Sequence, residues 1–376
     1  MSTPAPPTPD PPAALALAIA LADLQYLHSA LIRPNDPTSG WLFVQWAVMT
    51  SYEARPHIAA AIGVKQSAAA WDVDMATAAR MAGKFFDDKK RTIEDLADYF
   101  DRLRARNREQ FFPADRPFGR TFDFLRTDLS VLLYDDIPIT TSIGGFFSIG
   151  ASPDESLAST ALGPRLAKLT EEVGRLMRQL NAELTHAGPV PFEASRFAAR
   201  DVNTGKLSDT VFEGMFDTAM ALAMLTIQGS ARAAHHLSHS TCCALCVFAA
   251  LKHRYVVAYQ ALVSLRRLRT DSALPPSART IIDAVLDTPE CAHMLTDGYR
   301  RLRNGWLHLG LSDVPHDGNT LYLSQMIEHY TGGESVARVV AVTDTALGVV
   351  ATALDEWCMR PKIASKPLAS ILHVPH

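Results

Sequence analysis

Three runs of the sequence hold side chains whose types could do chemistry. The first is Tyr299-Arg300-Arg301-Leu302-Arg303-Asn304-Gly305-Trp306-Leu307-His308. Histidine is the side chain whose unperturbed pKa lets it take up and release a proton near neutral pH. A guanidinium fork can grip two oxygens of a phosphate at once, and its hold matters most when charge builds on those oxygens. Arg303 and His308 therefore suit acid–base chemistry at phosphorus. Asn304 lies four residues before His308, on the same helical face, where its amide can orient the imidazole or bind phosphate.

The second run is His235-His236-Leu237-Ser238-His239-Ser240-Thr241-Cys242-Cys243-Ala244-Leu245-Cys246. On a helix His235, His239, Cys242 and Cys246 share one stripe, but its ends lie about 16 Å apart at the helical rise. One tetrahedral ion cannot reach both, so no metal and no cofactor is expected. The third run, Gly144-Gly145-Phe146-Phe147-Ser148-Ile149-Gly150, has neither the lysine nor the spacing of a phosphate-binding loop. Neither a Gly-x-Ser-x-Gly elbow nor a His-Glu-x-x-His zincin motif occurs. The carboxylate pairs Asp135-Asp136 and Glu171-Glu172 are sequence neighbours whose side chains point apart, and they read as solvated.

Bulk composition narrows the partners. The formal charge of −4 gives no global attraction for a polyanion, so one must be held by a local patch. Arg300, Arg301 and Arg303 form one patch, and Arg266, Arg267 and Arg269 another. Five cysteines, three of them at 242, 243 and 246, do not form a disulfide framework, which points to reduced thiols and the cytoplasm. Residues 1–12, rich in proline, read as a disordered leader without the charged start of a secretory signal. The apolar run Ala13 to Ala22 is about half the length of a membrane span, so no membrane partner is expected.

The elements that must position these residues are helical. Leu166, Leu169, Val173, Leu176, Met177, Leu180 and Leu184 recur every three or four positions, with charges on the other face. Ile93, Leu96, Phe100 and Leu103 do the same behind a helix-starting Thr92 and Asp95. Further helices are expected from Ala13 to about Ile32 and from Trp41 to about Ile62. Prolines 113, 117, 138, 153 and 164 mark a junction, and its segment Ile137 to Ile149 is β-branched rather than helical in period. Beyond it, long helices are expected over Thr210–Gln228, Arg232–Arg269, Ser277–Leu309 with Pro289 inside, and Glu334–Cys358, arranged as an antiparallel bundle. The resulting expectation is an all-α protein: an N-terminal helical region over 13–112, a proline-rich junction over 113–165 with a small irregular or hairpin insertion, a helical bundle over 166–360, and a tail over 361–376.

The order arginine, asparagine, three residues, histidine at Arg303 to His308 resembles the motif of the HEPN superfamily. The motif's place late in a helix, with one more long helix to follow, matches as well. As sequence the resemblance covers only Arg303 to His308; as architecture it covers Ser208 to Cys358. It implies a metal-independent endoribonuclease that leaves 2′,3′-cyclic phosphate and 5′-hydroxyl ends, with a role in toxin, stress or phage-defence systems. Within that reading His308 moves a proton, Arg303 stabilises phosphate charge, Asn304 orients, and Arg300, Arg301, Arg266, Arg267 and Arg269 attract the RNA backbone.

Gly305 is a departure inside the motif helix, costing about 1 kcal/mol relative to alanine unless something packs closely there. Five residues on a regular helix place Arg303 and His308 about 140° apart. One copy then closes a poor site, and a homodimer through the bundle is expected, as in the superfamily. The other reading is a catalytically silent scaffold that binds a regulatory protein partner, with Arg303 capping a neighbouring helix and His308 in the core beside Trp306.

Overall fold

Apolar side chains returning at helical spacing shape most of the chain, and the protein, here a computed structural model, has a mostly all-α fold. The structure describes residues 10–31, 37–63, 73–83, 85, 91–111, 127–151, 171–179, 193–238, 247–316, 321–358 and 366–367. Among the described residues four helices precede the junction: α1 (Pro11–Leu31), α2 (Pro37–Ala61), α3 (Val73–Gly83) and α4 (Ile93–Phe111). The start of α4 is fixed as its sequence suggests. Thr92 N donates to Asp95 Oδ2 (2.7 Å) and Asp95 N donates to Thr92 Oγ1 (3.0 Å).

The junction holds the expected hairpin, β1 (Leu129–Tyr134) and β2 (Ile137–Thr141), turning at Asp135 and Asp136 with φ of 53° and 62°. Ser142–Ser148, read as part of an extended stretch, is instead helix α5. Thr141 Oγ1 accepts the Gly144 N–H and starts it. Ile143 to Ser148 are all buried, so no polar face betrays a helical period in the sequence. A helix over 171–179, α6, follows. The remainder of the expected helix from Leu166 to Leu184 lies outside the described residues.

A further correction is strand β3 (Phe197–Val202), which lies inside the stretch expected to be purely helical. It pairs antiparallel with β1, Leu129 opposite Val202 and Tyr134 opposite Phe197. With β4 (Lys366–Pro367) the small sheet has the order β2-β1-β3-β4, and each of its pairings is antiparallel.

After α7 (Thr204–Ser208) the helices are α8 (Thr218–Ser238), α9 (Val247–Arg269), α10 (Pro276–Leu286), α11 (Pro289–Met294), α12 (Asp297–His308), α13 (Leu323–Thr331) and α14 (Val336–Cys358). The expected Thr210 start gives way to a short 3-10 turn with Phe212 and Glu213 at positive φ, and α8 begins eight residues later. The stretch expected to run continuously from Ser277 to Leu309 is three helices.

The N-terminal helices pack directly on these. Apolar residues from Ala16 to Cys358 form one connected core, α1 against α9, α4 against α8, and α2 against α12. Trp46 of α2 stacks on His253 of α9 with ring centroids 4.8 Å apart, and Asp23 of α1 meets Lys252 of α9, each only 2% exposed. At Gly229 a side chain is excluded altogether, since a Cβ would sit 2.1 Å from the Ile139 carbonyl oxygen where α8 crosses β2. By length and mean hydropathy (1.5) α14 could span a bilayer, yet its Val339, Val342, Ala346, Leu347 and Val350 are buried in a bundle with α8, α9 and α11.

Candidate active site

Helix α12 carries the motif, and its two faces have different fates. Tyr299, Leu302, Trp306 and Leu307 are buried, with the Tyr255 ring of α9 lying 5.7 Å from Trp306 and the Tyr255 hydroxyl donating to the Tyr299 carbonyl (2.6 Å). Arg300, Arg301, Asn304 and His308 are all exposed, as their shared arc on a 3.6-residue turn requires. Arg303 stands at the edge of that arc and is 6% exposed.

Gly305 is explained by α13. A Cβ there would fall 2.4 Å from Cε2 of Tyr330, whose hydroxyl donates to Asp313 Oδ1 (2.6 Å) and lies 3.0 Å from the Gly310 carbonyl oxygen. The close neighbour is thus an aromatic ring from the next helix of the same chain.

Arg303 and His308 do not point apart, contrary to the helical-wheel expectation. Arg303 Nη1 is 3.5 Å from His308 Nε2 and 3.2 Å from Asn304 Oδ1, to which it donates. His308 is the last residue of α12, and Leu309 turns the chain in the left-handed region at φ 55°. A long guanidinium arm spans from the preceding turn what the Cβ directions alone would separate. One copy of the chain therefore brings all three motif residues together.

Sequence reasoning missed a fourth residue. His308 Nδ1 lies 2.8 Å from Glu53 Oε1 of α2, across 255 residues of chain. The side chains are 45% and 19% exposed respectively, so the pair sits at the protein surface with the carboxylate more sheltered. His57, one turn further along α2, is pulled down in pKa by burial, which outweighs the attraction of Glu53, so it is held toward its neutral form. No signal in the sequence singles out Glu53.

The other proposed contact residues fall in two places. Arg300 donates to Asp297 Oδ1 through Nε (3.0 Å) and Nη2 (2.5 Å), and Arg301 Nε is 3.6 Å from Asp297 Oδ2. This exposed pairing raises the Arg300 pKa and lowers that of Asp297. Arg266, Arg267 and Arg269 end α9, where Arg267 donates to the Arg91 carbonyl (2.7 Å) and Arg269 pairs with Asp283 (3.4 Å). These two partners belong to the approach to α4 and to α10 respectively.

Of the histidine and cysteine run, residues 239–246 lie outside the described residues. His236 packs edge-on against Tyr134, ring centroids 4.9 Å apart, and among the described residues no cluster suited to a metal occurs. Cys291 and Cys358 are buried, unpaired thiols whose pKa burial pushes up to about 12, which leaves them protonated and unreactive. Asp135, one of the paired carboxylates read as solvated, takes a two-pronged contact from Arg196, 2.6 Å at Nε. No family model, curated protein or solved structure matches this chain.

Proposed function

We propose that this chain is a metal-independent endoribonuclease of HEPN type. The observation that carries the reading is the 3.5 Å approach of Arg303 Nη1 to His308 Nε2 at the rim of an exposed helix face. A guanidinium and an imidazole so close together can serve one phosphodiester: the first holds its non-bridging oxygens, the second handles the proton beside it.

In the proposed step His308 Nε2 takes the proton of a ribose 2′-hydroxyl. The freed oxygen pair forms a bond to phosphorus, the P–O5′ bond breaks with its electrons on the 5′-oxygen, and that oxygen takes a proton from solvent water. Products are a 2′,3′-cyclic phosphate and a 5′-hydroxyl, and His308 returns its proton to solvent. Arg303 stabilises the charge that gathers on the phosphate oxygens. Asn304, hydrogen-bonded to Arg303, holds the guanidinium in place.

A cytoplasmic toxin, stress or phage-defence role belongs to the same proposal, with RNA as the partner. Pairing of two copies through the bundle no longer follows from helix geometry and stands on the superfamily resemblance alone. The test is incubation of the purified full chain with single-stranded RNA in EDTA, followed by end-group analysis. Cyclic phosphate ends that vanish in His308→Ala support the reading, and intact RNA sinks it.

A further inference from the structure

Glu53 belongs to no motif, yet its contact with His308 settles what that imidazole can do. Arginine has only donors, so the nitrogen facing Arg303 must offer its lone pair. That nitrogen is Nε2, at 3.5 Å. In the neutral ring the proton then sits on Nδ1, where Glu53 Oε1 at 2.8 Å accepts it. Both contacts are satisfied together by one tautomer only, the one whose Nε2 is free to receive a proton beside the guanidinium. The competing histidine on α2, His57, is held toward neutrality by burial, so it makes no strong ionic claim on the carboxylate.

The α2 backbone that carries Glu53 is anchored in the core. The residue after it, Ala54, and Ile58 one turn on are buried at 1% exposure. One and two turns earlier, Met49 and Trp46 are buried, the latter stacked on His253 of α9. The carboxylate therefore approaches α12 from a helix anchored in the core.

We infer that Glu53 is the positioning residue of the site, fixing the Nδ1–H tautomer of His308 and stabilising the imidazolium formed when Nε2 takes the substrate proton. The inference rests on the nuclease reading for its catalytic consequence, while its structural half concerns the imidazole alone. It also gives the N-terminal helices a part in the chemistry, since α2 supplies a side chain that the motif helix lacks.

The test uses the full chain, ¹⁵N-labelled at histidine, and a fluorogenic single-stranded RNA in EDTA. Long-range ¹H–¹⁵N spectra report the tautomer, with the His308 signals assigned by their loss in His308→Ala. Wild type should show a protonated Nδ1 and an unprotonated Nε2. Glu53→Ala should move His308 toward the other tautomer and lower kcat about 10- to 100-fold, part of what general acid–base assistance contributes, with KM changed less than about 3-fold. Glu53→Gln, nearly the same shape, keeps an oxygen that accepts from Nδ1–H; it should retain the tautomer and recover part of kcat.

An unchanged tautomer in folded Glu53→Ala overturns the positioning role whatever the RNA assay gives. A changed tautomer with unchanged kcat overturns the catalytic half. If His308→Ala cleaves like wild type, the nuclease reading itself falls, and the spectra still decide whether Glu53 sets the tautomer. Should Glu53→Ala not fold, Glu53→Met, of similar length but without an acceptor oxygen, replaces it in the tautomer test, and wild-type kcat and KM in Glu53→Gln show that the carboxylate charge is not used and overturn the stabilisation of the imidazolium.

Discussion

Gly305 lies under the ring of Tyr330 so closely that a methyl group on its Cα would fall 2.4 Å from Cε2. Gly305→Ala should gain about 1 kcal/mol of helix propensity and lose more to the displaced ring, whose hydroxyl holds Asp313 and Gly310. Overpacking of this kind costs about 1–3 kcal/mol. Chemical denaturation should show a net loss, and a more stable Gly305→Ala would mean that the ring moves freely.

Arg303→Ala and His308→Ala should each leave the fold in place and abolish measurable RNA cleavage. Losing acid–base assistance typically costs about 10²- to 10⁴-fold in rate, and losing a donor to the transition-state charge costs about 10²- to 10³-fold. Asn304→Ala should be milder, because the amide orients and does not react. Circular dichroism and gel-resolved RNA products check this. Cleavage should persist in EDTA and weaken at high salt as phosphate contacts are screened.

Stability should fall on acidification through His253. Its imidazole, sealed between Tyr26, Phe43 and Trp46, is pushed by burial down to about 3, against about 6.5 in an unfolded chain. Between those values the unfolded chain binds a proton that the folded one refuses. The stabilisation is therefore whole above about 6.5 and is lost as pH falls toward about 3, at up to roughly 1.4 kcal/mol per pH unit. Asp23, whose carboxyl burial raises, titrates with the opposite slope. Urea unfolding of wild type beside His253→Gln across this range isolates the histidine: the difference in stability should shrink as pH drops, and parallel curves would refute it.

The Asp23–Lys252 pair, 2.5 Å apart and 2% exposed on both sides, predicts an asymmetry. Asp23→Ala strands a buried ammonium and should cost about 3–5 kcal/mol, whereas Asp23→Leu combined with Lys252→Met should return most of it. Thermal melts of the single and double variants check this, and a double variant as weak as the single one would count against a simple ion-pair account.

Much of the fold is legible in the sequence where one helix face meets solvent. Helix α4 announces itself through Ile93, Leu96, Phe100 and Leu103 and the reciprocal cap of Thr92 and Asp95. Helix α5 does not, because a buried seven-residue helix has no polar face to set a period. Strand β3 is hidden for the converse reason: of Phe197 to Val202 only Phe197 is fully buried, so alternation is missing.

At the site, the residue types and the face shared by Asn304 and His308 are readable from spacing. The meeting of Arg303 with His308 is not, since a helical wheel registers Cβ directions and ignores the reach of a guanidinium arm. Glu53 is invisible for a different reason. A lone glutamate gains meaning only from what folds against it.

That last contact also sets an order in time. With Glu53 and His308 255 residues apart, the pair closes a loop encompassing most of the molecule, and contacts of such separation form late because the chain entropy between them must be lost first. A nascent chain still lacking α12 holds the carboxylate without its histidine, and a fragment that begins after α2 holds the histidine without its carboxylate. The complete constellation exists only once every residue from Glu53 to His308 has been made and folded, so synthesis itself delays the moment at which the site is assembled.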